Sequence, residues 1–124
     1  MKLLAWYGSV LMLLLLMAPS SSWSHAYLVK SSPARRAALT NAPTRVVLWF
    51  NERLEGQFSR LSVWNHQGEQ VDTGDIQVGP DDFKKLSVSL PALSAGTYTV
   101  KYRVLSVDGH IVDAEFPFTV RSRQ

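Results

Sequence analysis

His25, Asp108 and His110 carry the donor atoms in this 124-residue chain that could converge on one metal ion. His25 owes its interest to what precedes it. Met1-Lys2 gives a short positive end, Leu3 to Ala18 a mostly apolar stretch, and Pro19 to Ser24 a small-residue exit with Ser22 and Ser24 at −3 and −1. That pattern reads as a secretory signal peptide over 1–24, with cleavage after Ser24. The mature domain then spans 25–124 and begins on a histidine whose free α-amine and imidazole can chelate one ion. No internal histidine has that capacity.

The partner donors lie in Ser106-Val107-Asp108-Gly109-His110. If the backbone there is extended, residues i and i+2 point to the same side. Asp108 and His110 then converge, and Gly109 allows an unusual backbone angle between them. Three nitrogens and one carboxylate oxygen in a plane suit Cu(II), which prefers tetragonal sites and tops the divalent affinity order; zinc accepts similar donors in a tetrahedron. The third histidine, His66, sits in a polar Asn-His-Gln-Gly turn and reads as a solvated loop residue.

The elements that must position these donors show a period of two. Val46, Leu48 and Phe50 alternate with Val47 and Trp49; Leu61 with Val63, and Leu86, Val88 and Leu90, repeat the pattern. Tyr98, Val100, Tyr102 and Val104 mark the longest strand, Thr97 to Leu105, and Phe116, Phe118 and Val120 the last. Pro117 predicts an edge or an outward, unpaired position. Ala26 to Val29 predicts a short first strand and Gln70-Val71 another, while Arg35 to Leu39 is the one candidate for a short helical turn. Turn residues separate these runs at Ser32-Pro33, Asn41-Ala42-Pro43, Asn65 to Gly68, Gly79 to Asp82, Ser94 to Gly96 and Asp108-Gly109. About seven strands in about 100 residues predict an all-β, immunoglobulin-like β-sandwich. Leu93, Gly96 and Tyr98, entering the long strand, are spaced as in a tyrosine corner. Val100 stands where an antibody domain carries its second cysteine.

Composition narrows the function classes. Loss of Lys2 with the leader leaves twelve basic against ten acidic residues, a formal +2. So mild and scattered a charge argues against nucleic acid as a partner. No cysteine is present, so an exported domain of this kind rests on its apolar core alone, and the sequence leans toward a bacterial periplasm. Met1, Met12 and Met17 are the only methionines, so the mature domain contains no sulfur.

Several segments in order resemble the periplasmic copper-resistance protein CopC family, including its YobA-like members. They are His25-Ala-Tyr-Leu-Val-Lys-Ser-Ser-Pro-Ala34, Leu48-Trp-Phe-Asn-Glu52, Ala95-Gly-Thr-Tyr98, Val104-Leu-Ser-Val-Asp-Gly-His110 and Phe116-Pro-Phe-Thr-Val120. The likeness runs across essentially the whole mature chain. It implies a Greek-key sandwich that binds one Cu(II) through His25, Asp108 and His110, with Glu52 just outside the ligand set. It also implies an inner-membrane copper transport protein of the CopD type as the recipient. Two departures are visible. The methionine-rich Cu(I) loop of some members has no counterpart, and Ile111 and Ala114 replace residues that are often proline and glycine.

The resulting expectation is a monomeric, periplasmic Cu(II) carrier or buffer of copper homeostasis or resistance, not an enzyme. Its donors must lose protons to bind, so binding releases protons and weakens below neutral pH. Two rivals stand beside it. A copper-dependent oxygenase would use the same N-terminal histidine in a histidine brace, although Asp108 would then fill the equatorial position that oxygen needs. A metal-free immunoglobulin-like adhesion or assembly module would bind no copper at all.

Overall fold

The computed structural model describes residues 26–122, so the signal segment 1–24 and His25 lie outside the described residues. Eight strands follow in chain order: β1 Leu28–Ser32, β2 Ala38–Leu39, β3 Arg45–Phe50, β4 Arg60–Trp64, β5 Gln77–Val78, β6 Lys85–Ser89, β7 Gly96–Leu105 and β8 Ile111–Val120. They form two four-stranded sheets, β1-β3-β6-β5 and β2-β8-β7-β4. The chain passes repeatedly from one sheet to the other, and the fold is an all-β sandwich. Among the described residues no helix is long and apolar enough to cross a membrane.

The alternation seen in the sequence becomes the two inner faces. Val46, Leu48 and Phe50 of β3, Leu86 and Val88 of β6, and Leu61 and Val63 of β4 are buried. So are Tyr98, Val100, Tyr102 and Val104 of β7 and Phe116, Phe118 and Val120 of β8. Burying such side chains contributes about 1.5–3 kcal/mol each, which is how a fold without disulfides can stand. Phe50 of β3 meets Tyr102 of β7 edge-on at 5.5 Å across the two sheets, and within one sheet Tyr98 of β7 stacks on Phe118 of β8 at 5.4 Å. The tyrosine corner is present, with the Tyr98 hydroxyl donating to the Ser94 carbonyl at 2.6 Å. Val100 is fully buried in the place a disulfide takes in antibody domains.

Three local expectations give way, and a fourth resolves between its two alternatives. Arg35 to Leu39 is a turn followed by β2, not a helical turn, because Arg36 adopts φ 61° and sends its N–H to the Pro117 carbonyl at 2.7 Å. The short helix lies instead at Gly56–Phe58, as a single 3-10 turn. Gln70-Val71 makes one bridge, Trp64 to Gln70, and no strand; the Asp72 carboxylate takes the Val63 N–H at 2.9 Å and ends the pairing. The first strand starts at Leu28 rather than Ala26. Of its two expected placements Pro117 takes the outward one and not the edge, since it is exposed and β8 lies between β2 and β7. Its missing N–H costs β7 nothing: the Pro117 carbonyl and the Thr119 N–H both face the 36–37 segment, away from β7.

Candidate metal centre

β7 and β8 pair in register from Gly96↔Val120 to Leu105↔Ile111, so the long hairpin delivers Ser106 to His110 at one end of the sandwich. The tip is a turn rather than extended chain. Gly109 N–H donates to the Ser106 carbonyl at 2.9 Å, Ser106 N–H to the His110 carbonyl at 3.0 Å, and Gly109 has φ 93°. This is the three-residue hairpin loop that places a glycine in the left-handed region before the strand resumes. Asp108 and His110 converge all the same. Curvature of the loop, not strand alternation, brings them together.

The Oδ2 atom of Asp108 stands 3.2 Å from Nδ1 of His110, and both side chains are about one-third exposed. Two donors bonded to one ion at about 2.0–2.1 Å and a right angle apart stand about 2.8–3.0 Å from each other. The observed pair lies within a few tenths of an ångström of that bite. The Ser106 hydroxyl donates to Asp108 Oδ1 and is the main reason the Asp108 carboxyl is lowered to about 2. Partial desolvation opposes the shift, and the His110 side chain and N–H add to it. Asp108 therefore presents a full negative charge at any physiological pH, ready for a cation.

The start of the described chain reaches the same end of the fold. Tyr27 N–H donates to the Asn51 side-chain oxygen at 2.6 Å, and Asn51 N–H donates to the Tyr27 carbonyl at 3.2 Å. A bulge between Leu28 and Lys30 shifts the β1–β3 register, and Ala26 is buried at 1% exposure. Beyond Asn51 the chain follows the hairpin tip: Val107 N–H donates to Arg53 O at 3.0 Å, Leu54 bridges Ser106, and Glu55 N–H donates to Leu105 O at 2.8 Å. One segment, 51–55, thus joins the chain start to the loop bearing Asp108 and His110. Glu52 sits within it, half-buried between those attachments.

Among the described residues no third histidine, cysteine or carboxylate joins Asp108 and His110 in a metal-holding group. Glu52 is accordingly no member of such a group, and His25, the remaining expected donor, lies outside the described residues. His66 is exposed in its turn and lines a hollow of about 580 Å³ with Tyr98, far along the sandwich from the hairpin tip. Ile111 is exposed where β8 begins, and Ala114 pairs with Tyr102 in regular strand, so neither substitution disturbs the hairpin. Sequence reasoning missed Ser106, a fully buried hydroxyl whose only advance signal was its spacing two residues before Asp108.

A family model described as the CopC domain matches residues 28–121. The chain belongs to the CopC family. This CopC-domain chain is 37% identical over 102 residues to protein YobA of Escherichia coli K12, covering 82% of each. It is 36% identical over 112 residues to the copper transport protein CutJ of Bacillus subtilis, covering 90% of this chain but 21% of CutJ. Its fold superposes on the crystal structure of CopC from Methylosinus trichosporium OB3b with a TM-score of 0.75 at 34% identity. That match covers 81% of this chain and 97% of the other.

Proposed function

We propose that this CopC-domain chain is an exported Cu(II) carrier or buffer that loses residues 1–24 and binds one copper ion per mature chain, 25–124. Its donors are the α-amine and imidazole of His25, the carboxylate of Asp108 and the imidazole of His110. The observation that carries the reading is the ionised Asp108 oxygen 3.2 Å from His110 Nδ1, on a loop tied through 51–55 to the start of the chain. Nitrogen and carboxylate donors favour Cu(II), and the absence of sulfur after Met17 leaves Cu(I) without its preferred ligands. Glu52 acts from outside the ligand set, on the segment that orients it. The protein works in the periplasm as a monomer, catalyses no reaction, and passes copper to an inner-membrane transport protein of the CopD type.

Binding displaces the proton of the terminal amine and so releases acid. The test is a competitive Cu(II) titration, with paramagnetic resonance, of protein beginning at His25. One equivalent with a tetragonal spectrum is expected, and His110→Ala, which removes a ligand, should weaken binding by more than the roughly tenfold that losing an outer partner of a ligand costs. An absence of stoichiometric binding in the unaltered protein would overturn the reading.

A further inference from the structure

The two oxygens of Asp108 have different neighbours, and one residue divides them. Ser106 is fully buried, and its backbone is fixed on both sides: it bridges Leu54, donates its N–H to the His110 carbonyl at 3.0 Å, and accepts the Gly109 N–H at 2.9 Å. A buried hydroxyl must find partners, and it has a single proton to donate. Of the two acceptors within reach, Asp108 Oδ1 is much the nearer and takes that proton, while the His110 carbonyl stands at 3.3 Å. The same hydroxyl oxygen accepts the His110 N–H at 3.3 Å, and Oδ1 lies 3.4 Å from that N–H. With Oδ1 engaged, Oδ2 is the oxygen that faces His110 Nδ1.

We infer that Ser106 is the positioning residue of the metal centre, its buried hydroxyl holding one oxygen of Asp108 so that the other points, with His110, at the cation. This rests on the Cu(II) reading above and adds to it a residue that touches no metal. A carboxylate on an exposed loop rotates among several rotamers, and a ligand that must be ordered on binding loses affinity for that reason. The hydroxyl ties the loop's carboxylate to its buried base. The His110 N–H shares the same hydroxyl, so one group sets both ligands.

The experiment compares unaltered protein beginning at His25 with Ser106→Ala and Ser106→Thr, each titrated with Cu(II) alone and examined by paramagnetic resonance. Unaltered protein that binds no stoichiometric copper sinks the parent reading, whatever the variants do. If it binds, Ser106→Ala should lose about 10–100-fold in affinity, as outer partners of metal ligands do, and show an altered tetragonal spectrum. Ser106→Thr, which keeps the hydroxyl, should recover both. Equal affinity and spectrum in Ser106→Ala would overturn the assignment. Should the variants fail to fold, the metal-free unaltered protein still decides. A slowly exchanging Ser106 hydroxyl proton, resolved by NMR and coupled to the Asp108 carboxylate, is expected, and a rapidly exchanging one contradicts the assignment.

Discussion

Tyr27 and Asn51 hold each other by two hydrogen bonds, one to the Asn51 side chain at 2.6 Å and one between backbones at 3.2 Å. Two residues upstream is the histidine proposed as the terminal chelate, and this clamp fixes Tyr27 against the end of β3. Asn51→Ala removes the side-chain half. The expected result is a stability loss of about 1 kcal/mol by denaturant titration, with a fall of about tenfold in Cu(II) affinity. An unchanged affinity would show that the chain start needs no such anchor.

Gly109 is required by its backbone and not by space. A Cβ added there meets nothing within 4 Å, yet φ is 93°. Gly109→Ala should cost about 1–2 kcal/mol through the left-handed conformation alone. Gly109→Asn should cost less, because asparagine tolerates positive φ. Unfolding midpoints of the two variants check the order, and copper affinity should fall in the same order as the loop relaxes.

The Tyr98 hydroxyl bond to Ser94 belongs to the opposite end of β7, about 25–27 Å from Ser106 at the usual strand rise. Tyr98→Phe should therefore lose about 0.5–1.5 kcal/mol of stability and leave copper binding unaltered. Calorimetry and Cu(II) titration of the same sample separate the two effects. A copper defect here would mean the two ends of the sandwich are coupled.

Acid stability should depend on Asp75. Its carboxylate accepts the Ser89 hydroxyl at 2.6 Å, the Ser89 N–H at 2.8 Å and the Thr73 hydroxyl at 2.8 Å, and these bonds lower it from 3.8 to about 2. A carboxyl lowered by folding adds stability that is complete above the unfolded value of 3.8 and fades as pH falls toward about 2. Asp75→Asn should thus melt below the unaltered protein at neutral pH, and the gap should narrow between about pH 4 and 2. A gap independent of pH would place its cause elsewhere.

Period-two burial was legible because the inward residues of β3, β4, β7 and β8 alternate without interruption, and Tyr98 announced its corner by spacing to Leu93 and Gly96. Asp108 and His110 were legible as a pair, but for a reason that did not survive: they meet across a tight loop, not along an extended strand. The errors came where long-range bonds override local pattern. Nothing near Arg36 in sequence shows that its N–H will find Pro117, and nothing near Gln70 shows that Asp72 will take the Val63 N–H. Ser106 was opaque because a serine beside a strand is ordinary until its burial is known.

Cu(II) affinity of the protein beginning at His25, set against the same protein retaining Ser24, separates a site built on a terminal amine from one built on side chains alone. Retaining Ser24 turns the His25 amine into a peptide amide and leaves every side chain in place. Retaining Ser24 should cost at least about a hundredfold in affinity, the larger end of what even an outer partner of a metal ligand contributes, together with a changed tetragonal spectrum. Equal affinity and an identical spectrum for the two forms would contradict it.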